Sequence, residues 1–168
     1  MRAITVCQPY SALLVLPDED SRKKRVENRE WKSSYIGELL IHAGKSREWL
    51  KYGDFDLQPS EMVFGAIVGA CYVEGTAMIT PQFEQNGRRI WPNIIDEKSL
   101  ARWPWLEYDE HASGRYGLVT CRNVKFPTPI PYRGAQGFFD VPREVVAEQL
   151  AAVRWMQDPK PEHAKHAT

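Results

Sequence analysis

The chain contains no apolar run approaching the roughly eighteen residues that a membrane-spanning helix needs, so a transmembrane protein is not expected. Its start, Ala3-Ile4-Thr5-Val6-Cys7, reads as a short strand rather than a charged leader with an apolar block, and a secretory signal is not expected either. There are only three cysteines, Cys7, Cys71 and Cys121, each in an apolar strand-like stretch and none in a CxxC pair. That pattern excludes a disulfide framework and a thiolate zinc site, and it fits reduced thiols in a cytoplasmic protein. No HxxxH or HxE spacing is present, so a zinc-activated water is not expected, and the lack of a GxxxxGK loop argues against nucleoside triphosphate hydrolysis. Neither a metal nor another cofactor is implied. Net charge is also missing, with 22 basic residues against 22 acidic ones. A grip on a long phosphate backbone draws on uncompensated Lys and Arg, so a small neutral ligand or a locally basic patch fits better than duplex binding.

What is present has the size and apolar content, 43% of 168 residues, of one domain with a real core. Residues 1–157 read as that domain and 158–168 as a polar, proline-containing tail without order. After the first strand, Pro9 sits where a helix starts, and Tyr10 to Leu16 continues as an apolar helix ending at Pro17. An acidic run, Asp18-Glu19-Asp20, beside a basic run, Arg22 to Arg25, reads as a solvated loop that partly neutralises itself. Glu38 to Ala43 is a strand, Ser46 caps a short helix through Leu50, and Met62 to Val73 is a long strand with bends at Gly65 and Gly69.

Glu74 to Gly114 reads as an irregular segment holding Trp91, Trp103 and Trp105, with a helical turn at Ser99 to Arg102. Arg115 to Phe126 is strand-like, and Pro127 to Pro131 reads as a stiff extended connection. Phe138 to Val141 is the last strand. After Pro142 a helix presents Val145, Val146, Leu150, Val153 and Met156 at helical spacing. Short strands interleaved with short helices, and glycines at the bends, predict an α+β fold: a small mixed-strand barrel with helices across its ends and a C-terminal helix.

One stretch concentrates chemistry. Lys24-Arg25-Val26-Glu27-Asn28-Arg29-Glu30-Trp31 packs lysine, arginine, glutamate and tryptophan side chains together, with Val26 its only aliphatic. In extended chain Lys24 and Asn28 share one face, with Arg25, Glu27, Arg29 and Trp31 on the other, so a bend after Lys24 is needed to bring Lys24 and Glu27 together.

With that block in view, the chain resembles the ASCH family, small domains of the PUA-like superfamily. The resemblance rests on Gln8-Pro9-Tyr10 after the opening strand, on Lys24-x-x-Glu27-x-Arg29, on Gly37 followed by Ile41-His42-Ala43, and on Arg133-Gly134-Ala135-Gln136-Gly137-Phe138-Phe139, in that order. Arg22 stands where the family pattern has glycine. The resemblance implies a PUA-like β-barrel whose cleft, lined by the lysine motif, faces RNA, a nucleotide or a nucleoside. Within those motifs Gln8 and Gln136 are substrate-binding candidates; by their chemistry Arg29, which can meet a phosphate or base carbonyl, and Trp31 and Tyr35, which can stack on a base, are the others.

Members of the family include small metal-independent amidohydrolases that remove an acyl group from the exocyclic amine of cytidine, as well as RNA binders and a ribonuclease. In the amidohydrolases a threonine occupies the position of Glu27, so a covalent threonine mechanism does not carry over. Lys24 and Glu27 are then the expected catalytic pair, Lys24 steadying an oxyanion and Glu27 taking a proton from water. A further acid is sought in the irregular segment, at Glu107, Asp109 or Glu110. His42, beside apolar residues, reads as a satisfied buried histidine, and His163 and His166 as tail residues without a role. The expected partner is a small nucleoside, with single-stranded RNA bound by a non-catalytic reader, or cut by a ribonuclease, as the alternatives.

Overall fold

The computed structural model describes residues 1–51, 55–83 and 89–154, leaving aside the side chains of 81–83 and 89–93. The side chain of Trp91, the expected helix position Met156, both tail histidines and the expected disordered tail fall outside the described residues.

Among the described residues, seven strands form one curled sheet. In chain order the elements are β1 (Arg2–Val6), α1 (Tyr10–Leu14), β2 (Val26–Arg29), β3 (Gly37–Ala43), β4 (Ala66–Phe83), β5 (Arg89–Ile95), α2 (Glu97–Arg102), β6 (Tyr116–Pro131), β7 (Phe138–Asp140) and α3 (Arg143–Ala152). The strand order is β2-β6-β4-β3-β1-β7, with β5 hairpinned onto the far end of β4. β1 and β3 pair in parallel and the other described pairs are antiparallel, so the sheet is mixed, as expected.

The alternation of β3 shows why this sheet is apolar on both faces. Leu39, Ile41 and Ala43 join Ile4, Val6, Leu14 and Val73 inside the curl, while Leu40 points to the other face with Ile67, Phe126, Val146 and Leu150, where α3 packs. Val145, expected on the inner helix face, is instead among the exposed large hydrophobics. A third cluster of Val26, Ile79, Ile95, Trp103 and Leu106 joins β2 to β4, β5 and α2, which makes Trp103 a core residue.

Two expectations are corrected. The segment from Glu74 is not irregular at its start, because β4 runs on to Phe83 and returns as β5. Its polar alternation hid a two-stranded extension whose outer positions, such as Met78, face solvent. The prolines at 127–131 belong to β6 rather than to a free connection. The ladder to β4 steps from Lys125 directly to Ile130, so Pro127 and Pro129 sit where the pairing is interrupted and their missing N–H groups break nothing. Between them the Thr128 amide donates to Gln149 of α3.

The sheet curls until its edges approach without pairing. Trp31, just past β2, meets Phe138 of β7 edge-on at 5.1 Å between ring centres, and Tyr35 meets the same ring at 5.2 Å. β7 covers β1 only from Arg2 to Ile4, which leaves Thr5 onward facing β2 across a gap. Among the described residues no helix is long and apolar enough to cross a membrane.

Candidate functional site

The gap between β1 and β2 is a cleft of about 980 Å³, walled by Thr5, Val6 and Cys7 on one side and by residues 24 and 27–31 on the other. Tyr10, Trp49 and the 110–115 loop close its ends. A volume of this size lies at the upper end of the range for small-molecule sites.

The loop that delivers Lys24 is tied down along its length. Lys24 N–H donates to the Leu13 carbonyl of α1 at 3.1 Å, and the Arg25 carbonyl accepts from both the amide and the hydroxyl of Thr120 on β6. Asn123, buried beneath, donates to the Leu14 carbonyl at 2.7 Å and so satisfies a helix-end acceptor. This loop is less solvated than its charge suggested, since Lys23 and Lys24 are both buried, Lys23 pairing with Asp18. Lys24 lies in the loop ahead of β2, which begins at Val26, rather than in the strand that carries Glu27.

Lys24 Nζ donates to the Val26 carbonyl at 2.6 Å and to Glu27 Oε2 at 2.7 Å, and it lies 5.4 Å from the centre of the Tyr10 ring. An ammonium has three N–H groups, so among the described residues one remains for a ligand in the cleft. The other oxygen of Glu27 faces Arg29 at 3.1 Å, and the same Arg29 nitrogen donates to the Thr5 carbonyl at 2.8 Å, bridging β2 to β1. Both oxygens of Glu27 are therefore engaged by cations. The six charged side chains of the lining balance, Lys24, Arg29 and Arg115 against Glu27, Glu30 and Glu110.

Of the remaining candidates Trp31 and Glu110 line the cleft, with Glu110 at its open rim. The other candidates are elsewhere. Gln8 is fully buried, its Nε2 donating to the Val63 carbonyl at 2.6 Å and its Oε1 accepting from Ala12, so it locks α1 in place. Tyr35 turns its hydroxyl to the Glu38 carbonyl and its ring to Phe138. Gln136 is exposed on a turn, and Glu107 is exposed outside the cleft. Asp109 accepts from the His111 amide at 2.8 Å and borders a different hollow. His42 is the satisfied histidine expected, between Thr5 Oγ1 at 3.2 Å and the Tyr132 carbonyl at 3.0 Å, and burial holds its imidazole below the usual range.

Sequence reasoning missed Asn28, His111 and Ser113. Asn28 donates to the His111 carbonyl at 2.7 Å and to Ser113 Oγ at 2.9 Å, and accepts from the Ser113 amide at 3.0 Å. It thus clamps the 111–113 loop onto the strand that carries Glu27 and Arg29. The His111 ring is mostly covered, at 15% exposure, and burial together with the nearby Lys24 charge holds its imidazole below the usual histidine range against the opposing Asp109 and Glu110. Cys7 also lines the cleft, but burial and the negative charge of Glu27 push its thiol up, so at neutral pH it is not the thiolate a nucleophile requires. Among the described residues no group of three His, Cys, Asp or Glu side chains is placed to hold a metal ion.

No protein-family model matches this chain, and no curated protein does. The chain is similar to a solved ASCH structure. This is the crystal structure of ASCH from Zymomonas mobilis, 14% identical, aligned over 90% of this chain and 94% of that one with a TM-score of 0.45.

Proposed function

We propose that this is an ASCH-type domain that binds a pyrimidine nucleoside in the β1–β2 cleft and hydrolyses the amide of an acylated cytidine, releasing a carboxylic acid and the free exocyclic amine. The observation that carries the reading is Lys24: a buried ammonium with one N–H left over, fixed by a carboxylate and a carbonyl, in a cleft whose charges cancel. A donor already in place where an oxyanion develops needs no reorganisation during the reaction. Balanced charge favours an uncharged ligand over a polyanion. Trp31, 37% exposed at the cleft mouth, offers its indole to the base. Glu27 holds Lys24 and Arg29 in position.

Purified protein incubated with acylated cytidines is expected to release cytidine. Lys24→Ala is expected to lower kcat by about 10²- to 10³-fold, the effect of losing one oxyanion donor. Wild-type protein without turnover, or Lys24→Ala at the wild-type rate, would refute the hydrolytic reading. Salt-sensitive binding of single-stranded RNA that weakens in Lys24→Ala, with no product formed, would favour a non-catalytic reader in its place. Trp31→Ala is expected to raise KM by about 5- to 150-fold, the equivalent of the roughly 1–3 kcal/mol that stacking of one base contributes, with kcat little changed. An unchanged KM would remove Trp31 from the binding site.

A further inference from the structure

With both oxygens of Glu27 engaged by cations, the cleft needs another group to accept a proton from water. His111 has the attributes of one. It lines the same cleft as Lys24 and keeps a small exposed edge toward it. Its backbone is held from both sides, the amide by Asp109 and the carbonyl by Asn28. Its Nε2 lies 3.9 Å from the exposed Glu110 carboxylate at the cleft rim, and a neutral imidazole keeps one ring nitrogen with a lone pair that can accept a proton.

The charged groups around it are Lys24 from the loop before β2 and Asp109 and Glu110 from its own loop, with Glu27, Arg29, Glu30 and Arg115 on the rest of the cleft lining. Asn28 has a part in this. Its three hydrogen bonds to residues 111 and 113 span the cleft's end, and removing them would free the histidine without touching Lys24 or Glu27.

We propose that His111 is the general base of the cleft and that Asn28 is its positioning residue. The step rests on the amide-hydrolysis reading. A water oxygen bonds to the acyl carbon while its proton passes to the free nitrogen of His111, and the carbonyl electrons move to the oxygen facing Lys24. As the intermediate collapses, the carbon–nitrogen bond breaks and the imidazolium returns the proton to the departing exocyclic amine. One water is consumed, one carboxylic acid and one cytidine are formed, and His111 ends neutral.

The test joins NMR titration to kinetics. In the ligand-free protein the His111 ring is expected to titrate below the ordinary 6.5, and in Lys24→Met its midpoint is expected to rise as the neighbouring positive charge is removed. In wild-type protein kcat/KM for an acylated cytidine should increase with pH along a limb that shares the His111 midpoint. His111→Gln is expected to lower kcat by about 10²- to 10³-fold, leave KM within a factor of about two, and abolish that limb. Asn28→Ala is expected to lower kcat by about tenfold at nearly constant KM while keeping a shifted limb, because the base is present but misplaced. Circular dichroism establishes that each variant is folded. Wild-type kcat in His111→Gln, or a limb that survives there and vanishes in Glu27→Gln, overturns the assignment but leaves the hydrolytic reading standing. Wild-type protein inert toward every acylated cytidine removes both.

Discussion

Gly69→Ala is expected to destabilise the fold by on the order of 4 kcal/mol, a large share of the roughly 5–15 kcal/mol that holds an ordinary domain together. A Cβ at Gly69 would lie 2.1 Å from the Val124 carbonyl oxygen on the neighbouring strand and 2.7 Å from Val15 Cγ1. The first obstacle is backbone, which cannot rotate away as a long side chain can. Both ladders of β4 change register beside this glycine, against β3 at Ile41/His42 and against β6 at Ile67/Gly69, so the bend that curls the sheet is built here. The close approach of Val15 couples that bend to the site. Pushing Val15 outward moves the end of α1, and with it the Leu13 carbonyl to which Lys24 is bonded. Urea unfolding should show the loss, and a Gly69→Ala variant with the wild-type midpoint would mean that the bend is set elsewhere.

The glycine illustrates what was legible in the sequence. A glycine inside an apolar, β-rich run signals a close approach or a bulge, and at Gly69 it marks both. The mixed barrel followed from short apolar runs with turn chemistry between them. Beyond Gly75 the described side chains of β4 are buried only at Ala77 and Ile79, between more exposed Thr76, Met78 and Thr80, too brief an apolar face to read as a strand, and prolines in β6 looked like a connection because a ladder interruption leaves no trace in one strand's sequence. Family motifs were a mixed guide to the site. Lys24-x-x-Glu27-x-Arg29 does line the cleft, whereas Gln8 anchors α1 from within the core, and the turn that carries Gln136 ends at Gly137 with φ +67°. Those motifs mark where the fold needs a particular residue, which is a different requirement from touching a ligand. His111 was invisible for another reason. It stands 83 residues from Asn28, in a polar segment with no pattern around it, and only the tertiary fold brings them together.

Glu27→Leu is expected to cost about 5 kcal/mol, more than the roughly 3 kcal/mol expected for Lys24→Met, although the two residues form a single ion pair at 2.7 Å. The difference lies with Arg29. When Lys24 is replaced, Glu27 keeps Arg29 at 3.1 Å, so the buried carboxylate still has a cation. When Glu27 is replaced, Lys24 and Arg29 are left as neighbouring positive charges with side chains only 3% and 22% exposed, and the Arg29 Nε already lacks a hydrogen-bond partner among the described residues. Combining the two changes removes the repulsion, leaving Arg29 bonded to the Thr5 carbonyl beside an apolar pair. The double variant is therefore expected to be more stable than Glu27→Leu alone, a non-additivity of at least about 3 kcal/mol in a double-mutant cycle read by denaturant unfolding. Additive losses below about 1 kcal/mol each would reduce the cluster to a surface ion pair of little energetic weight. If the recovery is found, an apolar pair could serve the fold nearly as well as Lys24 and Glu27 do. The double variant should then be folded yet inactive toward acylated cytidine, which separates the demand of the fold from the demand of the chemistry at the same two positions.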